Sequence, residues 1–252
     1  MTTHYRTQGF VLKKEDLRET DQLFTVYTKD FGKLKILGRA VRKIGAKLRG
    51  SFQLFRLVEL EFIQGKSHKT LTDAVVIKEF YHIENDLKKM KAVHQMADVL
   101  DGLVTREEKE EKIWLLLEET FERINSLRFS FVNLRLLYYY FFWNLVSVLG
   151  YQPQLSNCTS CHQKLKHEGL SFAPEEGGVI CVDCFEKNKT KESVWISAET
   201  IKILRLILRK NWPTLKRLKV EKDILINLKE VSDVFLKFLL SQNSVLQYSV
   251  LQ

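Results

Sequence analysis

Two Cys-x-x-Cys pairs constrain this chain more than any other feature of its sequence. The pairs are Cys158/Cys161 and Cys181/Cys184, and the 252 residues contain no further cysteine. Within each pair the spacing lets two thiolates turn toward one point, so the two pairs together supply a tetrahedral sulfur set that suits Zn²⁺. We therefore predict a zinc ribbon in which the four cysteines hold one structural zinc ion.

The residues between the two pairs support a ribbon. They predict short strands over His162–His167 and Gly169–Phe172, and Gly177-Gly178 offers a positive-φ turn before the second pair. His162 and His167 are alternative nitrogen ligands, although four thiolates already complete the set.

Two other uses of the cysteines fit the sequence less well. Disulfides need an oxidising compartment, and the N-terminal residues contain no apolar run that could serve as a signal peptide. A catalytic zinc site keeps one coordination position open beside a general base, whereas four thiolates leave no opening. The zinc is therefore expected to be structural, and the protein is expected to be cytoplasmic.

The first 80 residues are typical of a small β-barrel. Apolar pieces of strand length alternate with turn signals, which is the pattern of several short antiparallel strands. Five such strands favour an OB-fold, with an SH3-like barrel as the alternative. The predicted strands are Arg6–Lys13, Leu23–Thr28, Lys33–Leu37, Leu54–Ile63 and Thr70–Ile77.

From about residue 84 the apolar period changes from two toward 3.6, which indicates helices. Asn85 is a plausible N-cap for the first of them, and Leu87 opens its apolar face. The segment Phe131–Tyr151 is apolar enough to resemble a membrane span, but the polar residues inside it, such as Arg135 and Asn144, favour a buried helix. Further helices are predicted from Glu107–Glu111, after Ser197 and over Asp223–Leu240.

Together these elements predict an α+β protein. We expect residues 1–80 to form an OB domain that binds nucleic acid. Residues 81–150 and 190–252 are expected to form a helical domain, and residues 151–189 an inserted four-cysteine zinc ribbon.

The net charge of +9 is concentrated near the N-terminus. Residues 1–80 contain 16 Lys and Arg against 9 Asp and Glu, and residues 31–58 contain eight basic residues and no acidic one. Uncompensated cations on an OB barrel are the electrostatic footprint of nucleic-acid binding. We therefore predict that DNA phosphates follow a basic stripe, with a solubilising surface as the alternative interpretation. The stripe consists of Lys33, Lys35, Arg39, Arg42, Lys43, Lys47 and Arg49.

Strand alternation refines this prediction. It sends Leu34 and Ile36 to the core and Lys33, Lys35, Leu37 and Arg39 outward. The parity of strand two leaves open whether Tyr27 stacks on bases or is an ordinary barrel residue.

A second set of cations lies among the apolar positions near the C-terminus. It fits a solvated helix face, a site for an acidic peptide tail, or a second nucleic-acid surface. This C-terminal basic cluster consists of Lys202, Arg205, Arg209, Lys210, Lys216 and Arg217.

No catalytic residue is predicted. The sequence contains no nucleophile elbow, phosphate-binding loop or dinucleotide fingerprint. The carboxylates occur as charge runs such as Glu107–Glu111, which are typical of a solvated helix face.

These features resemble the bacterial recombination mediator family RecO over essentially the whole chain. The resemblance implies an N-terminal OB domain, a helical domain and an inserted zinc ribbon. It also implies binding to single- and double-stranded DNA, annealing of complementary strands, and nucleoid-associated work with RecR and single-strand-binding protein to load RecA. It is carried by Gly9-Phe-Val-Leu, Gly38…Val41-Arg42-Lys43, Leu149-Gly150-Tyr151-Gln-Pro153 before Cys158, and Gly177-Gly178 before Cys181.

Two other classes share some of these features. A zinc-ribbon transcription or RNA-binding factor would share the metal and the basic barrel, but would show a preference for sequence or for RNA. A nuclease would need clustered carboxylates for metal ions, and none is evident in the sequence.

Overall fold

The computed structural model describes residues 3–65, 68–105, 107–126, 131–166, 168–188 and 192–249. The chain forms two compact units, residues 1–129 and residues 130–252. The division therefore falls within the segment 81–150 that the sequence assigned to one helical domain. The predicted boundary between the ribbon and the last helices, at residues 189 and 190, lies outside the described residues.

The first unit is built on a closed barrel of five strands, which are β1 (His4–Asp16), β2 (Gln22–Thr28), β3 (Gly32–Gly38), β4 (Leu57–Gln64) and β5 (Lys69–Lys78). Their order around the barrel is β1-β2-β3-β5-β4. Neighbouring strands pair antiparallel except β3 and β5, which pair parallel, and β1 closes the barrel against β4. This arrangement confirms the predicted OB-type barrel.

The strand bounds agree with the predicted ones to within three residues. The fourth strand begins at Leu57 and not at Leu54, because Phe55 has a φ of 64° and cannot continue an extended strand. The barrel core contains Phe24, Val26, Leu34 and Ile36 from β2 and β3.

Four helices of the first unit are α1 (Leu48–Ser51), α2 (Tyr81–Glu84), α3 (Leu87–Leu103) and α4 (Glu111–Ser126). The helix α4 packs against the outside of the barrel, where Phe10 of β1 lies 5.0 Å from Trp114 and 5.0 Å from Phe121, measured between ring centroids. This aromatic contact explains why α4 belongs to the barrel unit.

The start of α3 differs from the prediction. Asp86, not Asn85, is the N-cap, and its side chain accepts hydrogen bonds from the backbone N–H groups of the second and third helical residues. Leu87 is 84% exposed, because nine residues at about 100° each place it on the opposite side of the helix from buried Met96.

In the second unit, α5 (Phe131–Val148) packs against the helices that follow the ribbon. Residues Tyr140–Val146 of α5 are at most 3% exposed, and the side-chain amide of Asn144 donates to the carbonyls of Tyr140 and Ile207. A buried helix is thus confirmed for this segment. Within the described ranges, no helix is long and apolar enough to cross a membrane.

A small three-stranded sheet carries the ribbon; it consists of β6 (Ser171–Ala173), β7 (Gly178–Ile180) and β8 (Val194–Trp195), in the order β7-β6-β8. The positive φ of Gly177, +70°, confirms the predicted turn between β6 and β7. The remaining elements are α6 (Val182–Asn188), α7 (Ala198–Leu208), α8 (Trp212–Leu215) and α9 (Lys222–Ser249).

Candidate metal centre and nucleic-acid surface

The four cysteines come together as the two pairs predict. The sulfur atoms of Cys158, Cys161, Cys181 and Cys184 all lie within 4.8 Å of one another, and the Cys161 and Cys181 sulfurs are 3.9 Å apart. A tetrahedral thiolate site with bonds of about 2.3 Å has sulfurs roughly 3.8 Å apart. The cluster can therefore hold a metal ion with little rearrangement.

Local backbone geometry turns the thiols inward. The first pair is closed by a hydrogen bond of 2.9 Å from the N–H of His162 to the carbonyl of Cys158, and His162 adopts a φ of 62° to make it. The second pair straddles the start of α6, where the N–H of Phe185 donates to the carbonyl of Cys181. The N–H of Cys181 also donates to the sulfur of Cys158 at 3.4 Å, so the two pairs are joined.

The electrostatics of the cluster favour a bound cation. Burial opposes ionisation of Cys158, but hydrogen bonds from the backbone of Cys161, Cys181 and Ser160 lower its pKa to about 6. A hydrogen bond with Ser160 favours the Cys184 thiolate, yet the neighbouring cysteines and burial raise the pKa of Cys184 to about 12. Four thiols this close cannot all ionise near neutral pH unless a cation lies between them.

The strands around the cluster differ in part from the prediction. From 162 to 166, the described backbone contains an isolated bridge between Asn157 and Lys164 in place of a strand, and His167 lies outside the described residues. The strand predicted over Gly169–Phe172 begins at Ser171, because Gly169 turns the chain with a φ of 66°.

The ribbon is anchored in the helices of the second unit. Phe172 of β6 is fully buried, and its ring lies 5.8 Å from Trp143 of α5 and 5.4 Å from Phe235 of α9. The guanidinium of Arg205 on α7 donates to the carbonyl of Leu155, which precedes the first cysteine pair. The segment that carries the metal cluster is therefore held against the helical core by aromatic packing and a hydrogen bond.

The structure separates the predicted basic stripe into exposed and paired cations. The Lys33 side chain is only 13% exposed, and its ammonium lies 3.0 Å from the carboxylate of Asp101 on α3. Lys47 pairs with Asp73 at 3.1 Å, and Arg42 pairs with Asp16 at 3.2 Å. Four members are exposed and have no carboxylate partner in the described part of the chain: Lys35, Arg39, Lys43 and Arg49.

The outer face of the β2–β3 hairpin is buried at Tyr27, whose orientation the sequence pattern had left undecided. Tyr27 is 0% exposed, and its hydroxyl donates to the carbonyl of Glu110 just before α4, so its ring is an ordinary buried residue and not a base-stacking platform. Burial raises the pKa of Tyr27 to about 12. Leu37, predicted outward on the same face, is likewise only 7% exposed, because other parts of the first unit cover this face of the hairpin.

A glycine permits this covering. Gly32 adopts a φ of 66°, and a Cβ atom there would lie 2.1 Å from the backbone carbonyl oxygen of Glu108. Only a residue without a side chain therefore lets the segment before α4 approach the β2–β3 turn.

The C-terminal basic cluster is also heterogeneous. Arg205 is partly buried and donates to the backbone of the ribbon, and its Nε atom has no hydrogen-bond partner in the described part of the chain. Lys202 lies 3.9 Å from Glu199 on the same helix. The exposed members are Lys202, Arg209, Lys210, Lys216 and Arg217.

The fold and the sites define a class of protein, namely an OB barrel joined to a helical unit with an inserted four-cysteine metal site. A family model for the recombination protein O N terminal matches residues 1–80, and one for the recombination protein O C terminal matches residues 84–245. The chain belongs to the recombination protein O (RecO) family, as the sequence motifs indicated.

Two relatives show the extent of the similarity. The DNA repair protein RecO of Moorella thermoacetica is 30% identical over 239 residues, which cover 94% of this chain and 87% of the relative. The DNA repair protein RecO of Dehalococcoides mccartyi strain 195 is 29% identical over 238 residues, or 94% of this chain and 91% of the relative.

Proposed function

We propose that this protein is a non-enzymatic recombination mediator that binds DNA and anneals complementary single strands. With RecR, it helps to load RecA onto DNA coated by single-strand-binding protein, in the cytoplasm at the nucleoid. The observation that carries the proposal is the set of exposed barrel cations that have no carboxylate partner among the described residues, namely Lys35, Arg39, Lys43 and Arg49. Membership of a family whose relatives are DNA repair proteins supports it.

The physical mechanism is charge neutralisation. Two strands repel one another through their phosphates, and a protein can bring them together by neutralising the backbones while leaving base edges able to pair. Cations on a β-barrel surface do this without sequence preference. No chemical step is needed, and annealing is therefore expected to proceed without ATP.

The ion in the ribbon is proposed to be Zn²⁺. Four thiolates select a soft or borderline tetrahedral ion, and a closed sulfur set is typical of structural zinc. The four cysteines would hold the ion and fix the ribbon against the helices, with no role in a reaction. Elemental analysis of the purified protein is expected to find one zinc per chain.

The DNA-binding part of the proposal is tested by neutralising these four cations together, Lys35→Gln, Arg39→Gln, Lys43→Gln and Arg49→Gln. We expect the thermal melt to change little and the affinity for single-stranded DNA to fall. The slope of log K against log salt should decrease by about 0.7 for each phosphate that the variant no longer binds. Fluorescence anisotropy over a salt series measures both quantities.

A matched control removes four exposed lysines elsewhere, Lys91, Lys112, Lys187 and Lys237. This variant has the same net charge and should keep most of the affinity. Equal losses in the two variants would show that overall charge, and not the barrel surface, determines binding. Annealing of complementary strands coated by single-strand-binding protein then separates a mediator from a transcription or RNA-binding factor, which should fail in that assay.

A further inference from the structure

A cavity of about 380 Å³ opens on the barrel where β1, β2 and α1 meet the segment after β3. Its floor is formed by Phe24, Val41 and Phe52, each at most 3% exposed. The rings of Phe24 and Phe52 meet edge to face, with centroids 4.8 Å apart. The floor is thus part of the packed barrel core and keeps its shape whether or not a ligand is present.

The rim of this cavity is cationic. Lys14 of β1, Arg42 of the segment after β3 and Arg49 of α1 line it, together with Gln22 and Gln53. These cations come from three separate parts of the chain. Lys14 was not part of the predicted basic stripe, and it reaches the cavity because β1 pairs with β2 in the register Lys14 to Phe24.

The charges of the rim are only partly compensated. Asp16 pairs with Arg42 at 3.2 Å and accepts a hydrogen bond from Gln22 at 2.8 Å. The Lys14 ammonium contacts the neutral amide of Gln53 at 3.4 Å, and the Arg49 guanidinium has no carboxylate partner among the described residues. A concave surface with such an excess of positive charge concentrates anions.

We infer that this cavity is a nucleotide subsite, in which Lys14, Arg42 and Arg49 hold one phosphodiester of a DNA single strand. A volume of about 380 Å³ is near the lower end of the roughly 300–1,000 Å³ typical of small-ligand pockets, so it has room for one nucleotide and not for a duplex. The glutamine amides can contact the base or sugar of that nucleotide. The floor rings are buried, and the base is therefore contacted at its edges and not stacked.

This inference rests on the proposed function and deepens it, because it places one point of the strand at a defined position on the barrel. Cations that hold the same phosphate must act together, whereas scattered cations contribute independently. Energetic coupling between Lys14 and Arg49 therefore distinguishes a subsite from a diffuse basic surface.

The test is a double-mutant cycle on the full chain with Lys14→Gln, Arg49→Gln and their combination. The probe is a fluorescent oligothymidylate, titrated at fixed ionic strength. We expect each single variant to weaken binding about tenfold, which is typical of one charge-assisted contact. The combined variant should lose clearly less than the product of the two, because both side chains hold one phosphate.

The control is Lys91→Gln, which removes an exposed lysine from α3 in the same unit and should change the affinity less than twofold. Thermal melts of all variants check that the folds are equal, and Arg42→Gln is a substitute if either single variant is unfolded. A combined loss equal to the product of the single losses, or a Lys14 effect equal to that of Lys91, overturns the subsite.

Competition with inorganic phosphate at constant ionic strength separates the strand from a free anion. Phosphate should weaken DNA binding by the parent and not by the combined variant, since both ligands use the same cations. An equal effect on the two proteins, or no effect on either, counts against the subsite. If the parent itself does not bind DNA at low salt, the proposed function fails, whereas binding without coupling removes only the subsite.

Discussion

At the scale of single residues, Asp101 forms ion pairs with two lysines of the barrel and so withdraws them from the exposed basic surface. Its carboxylate lies 3.0 Å from the Lys33 ammonium and 3.1 Å from that of Lys13, and its backbone carbonyl accepts from Lys33 at 2.6 Å. Burial opposes ionisation of this carboxyl, but the two lysines outweigh it, and the pKa of Asp101 is lowered. These two ion pairs stabilise the contact between α3 and the barrel.

Asp101→Asn should reduce the free energy of unfolding by about 1.5–3 kcal/mol at neutral pH, because it leaves largely buried ammonium groups without an anion. A carboxyl with a lowered folded pKa contributes stability above its unfolded pKa, near 3.9, and loses it as the pH falls through the folded value. The difference between parent and variant should therefore be complete above about pH 5 and shrink below pH 4. Urea unfolding at several pH values measures it.

The control for this experiment is Asp98→Asn. Asp98 also contacts Lys13, at 3.1 Å, but its side chain is 65% exposed, so a change below about 1 kcal/mol is expected. Equal stability of the Asp101→Asn variant and the parent at pH 7 would contradict the role given to this ion pair.

At the scale of elements, the ribbon and the helices of the second unit depend on one another. Cys161→Ser should abolish tight zinc binding, and because metal binding is coupled to local folding, it should loosen the ribbon first. Hydrogen exchange is expected to rise in β6 and β7, then in α5, and to stay unchanged in the barrel. Thr159→Ser, inside the same knuckle, should keep both the zinc and the protection. Absence of zinc in the parent, or a disulfide in the reduced protein, would contradict the assignment.

Phe172 joins the ribbon to the helices, because its ring packs against Trp143 of α5 and Phe235 of α9. Phe172→Ala should cost about 3–5 kcal/mol in the unfolding of the second unit, the usual cost of removing a buried aromatic ring. Phe185→Ala on α6, where the side chain is 37% exposed, should cost far less. Urea unfolding followed by tryptophan fluorescence compares them, and similar costs would show that the ribbon is not anchored through Phe172.

At the scale of the whole molecule, the chain presents basic surfaces on both units, the barrel cations on the first and the C-terminal basic cluster on the second. If the second surface holds the acidic tail of single-strand-binding protein, reversing its charge should matter mainly on coated DNA. Arg205 is unsuitable for this test, because it donates to Leu155 and its loss would disturb the ribbon.

We therefore predict that Arg209→Glu with Arg217→Glu slows annealing of coated strands more than annealing of naked strands. Annealing by the parent should need no ATP and should fall steeply with salt, as charge neutralisation requires. The control is Lys187→Glu with Lys237→Glu, two exposed lysines of the same unit. Equal loss on both substrates would indicate a second DNA surface, and no loss would indicate a solvated helix face.

Much of the fold follows from local sequence patterns. Alternation over residues 5–78 predicted the five strands of the barrel, the cysteine spacing predicted the metal cluster, and the polar residues inside α5 predicted a buried helix. These features are readable because strand and helix periods and knuckle geometry involve residues close together in the chain.

The availability of each cation was decided only by the tertiary structure. Lys33 pairs with Asp101, 68 residues away, and the buried Tyr27 donates a hydrogen bond to the carbonyl of Glu110, 83 residues away. Lys14 joins Arg42 and Arg49 only because β1 folds beside β2 and α1. Strand parity predicts on which face of the sheet a side chain lies. Whether that face is exposed depends on a segment from a distant part of the chain. The sequence by itself therefore determined the barrel, the ribbon and the basic character of this protein, and long-range packing decided which of its cations remain exposed.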